Sequence, residues 1–199
     1  MDTLVYVLLG LTSVAGFGVV LWRAWMLRWS QVVPAAVAAA SAECRTPADL
    51  KALRELCAKP PSSLGRLVLH AANHLDWPKA DNEAALETAA RHEVVKLERG
   101  LIVLEIIVGI APLLGLVGTI LGMMSVFGDI GQTGLNNVTD ASKLAQGISL
   151  ILRTTLIGLL ISIPSLVAWS YFSKKVEVLA VEMETLCDEF IRHQYANKK

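Results

Sequence analysis

The sequence predicts an all-α integral membrane protein with three transmembrane helices, the second and third carried on into the cytoplasm. Of its 199 residues, 54% are hydrophobic and only 18% are charged, and the mean hydropathy is +0.52. A soluble domain of this length normally carries more charge. Three apolar runs, at residues 3–21, 101–127 and 144–172, are each long enough to cross about 30 Å of hydrocarbon. Lysine and arginine concentrate between the first and second runs and after the third. Zero formal net charge and the lack of a basic stripe with interleaved aromatics argue against a nucleic-acid binder. Cys44, Cys57 and Cys187 are odd in number and lack CxxC spacing, so they suggest no disulfide framework or zinc knuckle and read as free thiols. No nucleophile–base set or glycine-rich phosphate loop is visible, so no enzyme, cofactor or metal centre is expected.

Taken in order, residues 1–22 form the first span. It lacks the basic leader of a cleavable signal peptide, and Arg23 and Arg28 follow it, so a retained helix with its N-terminus outside is expected. Trp22, Trp25 and Trp29 then make an interfacial aromatic belt. Residues 23–100 read as a polar, helical, cytoplasmic segment. Thr46-Pro47 looks like a helix start, and Pro60-Pro61 and Trp77-Pro78 look like breaks. Asp81 is placed to cap a helix at Asn82, and Leu86, Ala90, Val94, Leu97, Leu101 and Leu104 recur at spacings of four and three. With no stop signal before the membrane, one continuous helix from Asn82 to Phe127 is expected, roughly 70 Å long. Residues 101–128 are the second span, 129–143 a periplasmic loop and 144–173 the third span. In the cytoplasmic tail, 174–199, Phe172, Val176, Leu179, Met183, Leu186 and Phe190 continue a helical repeat. The positive-inside rule places the large segment and the tail in the cytoplasm.

The second span holds Ala111-Pro112, Gly115, the GxxxG pair Gly118 and Gly122, and Thr119, the only polar side chain from Gly109 to Met124. Glycines at this spacing let helices approach closely in lipid, and Pro112 cannot donate its backbone N–H and tends to kink the helix. The third span answers with Gly147-Ile148, Thr154-Thr155, Gly158-Leu159 and Ile163-Pro164. Together these paired motifs resemble the membrane core of the MotA/TolQ/ExbB proton-channel family, over roughly the second half of the chain, and most resemble its ExbB and TolQ members. The resemblance implies a homopentamer in the bacterial inner membrane, enclosing a dimer of single-span ExbD- or TolR-like partners. Thr119 and Thr155 match the family's pore threonines, which implies that they stand level with a partner aspartate that carries the proton; Thr154, beside Thr155, is expected to line the pore with them. Packing alone is the competing reading of these threonines. Leu150 departs from the family, because ExbB and TolQ proteins have a glutamate there and MotA-type proteins do not.

Three further features stay open at this stage. Glu105 is the only acid inside the second run, about 40° round the helix from Thr119 and about 21 Å further in. It is either a relay at the inner end of a proton path or an interfacial anchor, solvated or paired with Arg99. Arg153, the only cation in the third run, can snorkel outward, meet a lipid headgroup or pair with an acid on a partner. His70 and His74 have i, i+4 spacing, which can hold a metal but is more simply a polar helix face. The whole reads as the proton-channel subunit of a motor driven by the proton motive force. The alternative is a membrane scaffold that conducts nothing.

Overall fold

In the computed structural model the chain is described over residues 2–58, 62–133 and 138–196, and every regular element there is an α-helix. They are α1 (Asp2–Met26), α2 (Trp29–Val32), α3 (Ala35–Glu43), α4 (Pro47–Ala58), α5 (Ser63–Asn73), α6 (Lys79–Glu98), α7 (Leu101–Thr133) and α8 (Val138–Ala196). Stretches of α1, α7 and α8 are long and apolar enough to cross a membrane. The chain divides into two compact units, one of Met1–Trp22 and Gly100–Tyr171, the other of Arg23–Arg99 and Phe172–Lys199.

In the first unit, large apolar side chains point outward along all three helices, among them Val14, Leu113, Met124, Leu152 and Val167, each more than half exposed. Such surfaces are stable where the solvent is hydrocarbon. α7 and α8 run antiparallel. Residues climbing along α7 (Val108, Ala111, Gly115, Gly118, Gly122 and Val126) meet residues descending along α8 (Ser162, Gly158, Thr155, Thr154, Ile151 and Gly147).

The expected helix from Asn82 to Phe127 is not continuous. Gly100 takes φ 86°, in the left-handed region that glycine alone enters at little cost, and separates α6 from α7. Asp81 is likewise not the cap: α6 starts two residues earlier, behind Pro78, and Asp81 sits in its first turn. Asn82 is instead fully buried, donating from Nδ2 to the Ala71 carbonyl at 3.2 Å and to the Tyr195 hydroxyl at 3.2 Å. α1 runs beyond residue 22 to Met26, with Arg23 buried in its last turn. The expected loop 129–143 is largely helical, since α7 continues to Thr133 and α8 starts at Val138. Residues 134–137 of that expected loop, with Gly134 and Asn136-Asn137, lie outside the described residues.

In the second unit, α8 buries Phe172, Val176, Leu179, Met183, Cys187 and Phe190. Cys187 takes the place expected of Leu186, which is half-buried. α4 opens with a reciprocal cap, Asp49 N–H donating to the Thr46 hydroxyl at 3.2 Å and Thr46 N–H to the Asp49 carboxylate at 2.8 Å. Ser62 caps α5 by accepting from the Gly65 N–H at 3.0 Å. The last turn of α8 is tied down by Gln194 Nε2 donating to the Cys44 carbonyl at 2.7 Å and by Tyr195 Oη donating to the Trp77 carbonyl at 2.8 Å. The three cysteines are free and buried, and burial pushes the Cys44 and Cys57 thiols up.

Glu93 is a buried carboxylate on α6, only 4% exposed, that accepts from Arg66 of α5 and from Lys96 at 2.6 Å. Burial alone would raise its pKa, but the hydrogen bonds and charges of Arg66 and Lys96 outweigh that and hold it below the usual value. The unfolded chain therefore binds its proton more readily. Stability from this group is complete above the ordinary carboxylate pKa of about 4.3 and is lost as pH falls through the lower folded value. Glu93→Gln should destabilise the protein by about 1–3 kcal/mol at pH 7. Thermal unfolding in detergent should show that gap narrowing toward pH 3–4; a constant gap would mean that the charge of Glu93 is not what stabilises.

Candidate functional site

The site rests on how closely α7 and α8 approach. A Cβ on Gly115 would lie 2.9 Å from the Thr155 Cα, one on Gly118 2.9 Å from the Thr154 hydroxyl, and one on Gly158 2.5 Å from the Ala111 carbonyl oxygen. The GxxxG pair thus serves the chain's own third span: Gly118 faces Thr154 and Val5, and Gly122 faces Ile151. Pro112 and Pro164 both lie within unbroken helix. Because Pro112 has no N–H, the Val108 carbonyl loses its partner four residues on. Ser162 of α8 supplies one, donating from Oγ to Val108 O at 2.9 Å.

Thr154 is buried in this seam. It donates to the Ile151 carbonyl at 2.7 Å, with the Gly115 carbonyl at 3.4 Å. Thr155 is half-buried and donates across the seam to the Gly115 carbonyl at 3.3 Å. Thr119 is half-buried too and donates back to the Leu116 carbonyl at 2.7 Å. Seen from the end where α7 leads into α8, numbering climbs counter-clockwise round α7 and clockwise round α8. The buried face of α7 is Leu104, Ile107, Ala111, Gly115 and Gly118; that of α8 is Ile151, Thr154, Gly158, Ser162 and Ser165. Thr119 lies about 80° past the centre of the first and Thr155 about 60° past the centre of the second, which brings both to the same side of the seam. α1 covers the other side, with Val5 against Gly118 and Gly16 beside Ile107 and Ser165.

Glu105 is exposed, about 120° from the buried face of α7 on the Thr119 side, and has no ion pair within its unit among the described residues. Leu150 lies on the α1 side, lining a cavity of about 130 Å³ with Val5, Tyr6, Ser125 and Thr154. Arg153 is exposed on α8. His70 and His74 stack their rings at 4.5 Å, His74 stacks on Trp77 at 4.2 Å, and His74 Nδ1 lies 2.8 Å from the His70 carbonyl oxygen. Among the described residues no three metal-binding side chains cluster. Sequence reasoning missed Ser162; the signal was Pro112, which leaves an acceptor at Val108 that a neighbouring helix has to satisfy.

The sequence profile of the MotA/TolQ/ExbB proton channel family matches residues 62–185. The chain is 39% identical over 84 residues to the biopolymer transport protein ExbB of Helicobacter pylori, covering 42% of this chain and 56% of that protein. It is 35% identical over 122 residues to the Tol-Pal system protein TolQ of Pseudomonas aeruginosa, covering 57% and 51%. It is 30% identical over 94 residues to the biopolymer transport protein ExbB of Aquifex aeolicus, covering 47% and 62%. The chain thus matches only about half the length of these relatives.

The seam makes its own test. Gly158→Ala puts a methyl group into the Ala111 carbonyl and should cost about 1–3 kcal/mol. A Cβ on Gly109 would meet nothing within 4 Å, so Gly109→Ala should be neutral or stabilising through helix propensity. Thermal unfolding in detergent compares the two, and equal midpoints would refute a tight α7–α8 contact.

Proposed function

This chain belongs to the MotA/TolQ/ExbB proton channel family, and from that premise we propose that it is the channel-wall subunit of an inner-membrane motor of ExbB/ExbD or TolQ/TolR type, driven by the proton motive force. The observation that carries the reading is the side of the seam that α1 leaves uncovered. There Thr119 and Thr155 sit half-buried, with a large apolar surface around them. A ring of five chains turning that side inward encloses a narrow path for a dimer of single-span partners, each with a membrane aspartate. α6 and the far part of α8 then stand in the cytoplasm.

Each threonine already donates its hydroxyl hydrogen to a backbone carbonyl. What it offers to the path is therefore acceptor lone pairs. A protonated, neutral aspartic acid finds acceptors along this wall, and an ionised one does not, so neutralisation lets the partner helix move. Each charge crossing 100 mV supplies about 2.3 kcal/mol to that motion. Glu105, on the same side and about 21 Å further in, receives the proton at the inner end and passes it to cytoplasmic water. Leu150, on the α1 side, stands apart from this path.

Thr119→Val and Thr155→Val keep shape and remove the hydroxyl. Each should abolish proton-driven output and leave the oligomer and its partner complex intact by native mass spectrometry. Full activity in the double variant would mean that the threonines only pack. Glu105→Gln should lower proton flux into reconstituted vesicles severalfold, with Glu105→Asp retaining part of it. A wild-type flux in Glu105→Gln would make the residue an interfacial anchor.

A further inference from the structure

Arg153 is a fixed positive charge inside the apolar third span, and the proton path has no use for it. Its level is set by contacts across the seam, where Ile151 meets Gly122 and Thr154 meets Gly118. Arg153 is therefore level with the stretch of α7 between those glycines, roughly 10 Å short of Phe127 at the end of the apolar run. It is exposed and makes no hydrogen bond or ion pair within its unit among the described residues. A charge at that depth is costly unless it snorkels or finds a counter-charge.

The azimuth narrows the choice. Arg153 lies about 140° from the buried face of α8 and about 160° from Thr155, so a partner helix on the threonine side cannot reach it. Two exposed polar residues share its face, each within about 40°: Ser149 one turn, and Gln146 two turns, nearer the start of α8. In the other direction the same face is apolar and exposed, through Leu156, Leu160 and Val167. Among the described residues the face is thus polar from Gln146 to Arg153 and apolar beyond it. Glu105 is more than about 20 Å further in, too far to serve as counter-charge even from a second copy in the same orientation. The acid nearest in level is Asp2, the first residue of α1, because Val5 meets Gly118; a carboxylate there is the competing counter-charge that the test has to separate from a lipid.

A surface with a cation, two hydrogen-bonding side chains and then an apolar strip matches one amphiphile in a bilayer. We infer that Gln146, Ser149 and Arg153 form a phospholipid site, in which Arg153 holds the lipid phosphate below its ordinary level and one acyl chain runs along Leu156, Leu160 and Val167. Local thinning of the leaflet around the guanidinium meets part of the depth, and extension of the arginine side chain meets the rest. The inference rests on α8 spanning the membrane and not on proton conduction.

The test is native mass spectrometry of the purified protein titrated with dioleoyl-phosphatidylglycerol. The wild type should keep about one lipid per chain. Arg153→Gln should weaken retention about fivefold, Arg153→Lys should keep most of it, and the Gln146→Ala/Ser149→Ala pair should weaken it less than Arg153→Gln. Arg192→Gln, which breaks only the exposed pair with Asp188, should change nothing. Undiminished lipid on Arg153→Gln overturns the proposal, as does lipid kept while subunits are lost, because the counter-charge is then a protein carboxylate. If Arg153→Gln does not fold, the Gln146/Ser149 pair decides: unchanged retention there also overturns it. Proton flux measured on the same samples separates this site from the channel, since lipid loss with normal flux leaves the motor reading untouched.

Discussion

Inside a bilayer a backbone carbonyl without a donor has no water to turn to, and Pro112 creates one at Val108. The answer is a single hydroxyl, Ser162, reaching from the neighbouring helix at 2.9 Å. That bond is possible only because α7 and α8 lie so close, and they lie close because Gly115, Gly118 and Gly158 offer no Cβ at the crossing. Proline, serine and glycine are therefore one device. Remove the glycines and the helices separate; separate them and the serine no longer reaches; lose the serine and the proline becomes a defect.

The seam also settles which surfaces remain for function. With α1 on one side, the side of α7 and α8 that carries both half-buried threonines is left uncovered among the described residues. Their hydroxyl hydrogens are already committed to the helix backbone, so the polarity of that side is of one kind, acceptor without charge. In the proposed motor such a wall would admit a neutral acid and offer an ion no donor. The acid and the cation in these spans stand apart from the crossing, Glu105 deeper on the threonine side and Arg153 on a face turned away from it.

The residues that were legible in the sequence are those whose chemistry is local. Three apolar runs, the Thr46-Pro47 start of α4 and the pairing of the glycine-rich stretches can all be read from composition and spacing. The break at Gly100 could not be, because glycine is tolerated within helices and only the left-handed φ of this one marks a joint. The burial of Glu93 and Asn82 was hidden for a different reason. Both are polar residues on a helix whose apolar stripe looked complete without them, and their partners, Arg66, Ala71 and Tyr195, are distant in sequence. The exchange of Leu186 for Cys187 in the buried stripe shows the same limit on a small scale, since 3.6 residues per turn leaves either position eligible and the neighbours decide.

α8 is a single helix of 59 residues that carries both Gly158, fitted against the Ala111 carbonyl, and Phe190, fully buried in a different core. No turn lies between them to absorb a change in length. One residue inserted after Leu179, inside the second unit, would rotate every later side chain of that unit by about 100° and advance it by about 1.5 Å, presenting the exposed Glu182 and Glu189 to a core shaped for Met183 and Phe190. Over evolutionary time this stretch can exchange residues but hardly gain or lose them, except in whole heptads. Variation in length among relatives is therefore expected to collect in the connections between the short helices, where loop closure makes an added residue cheap.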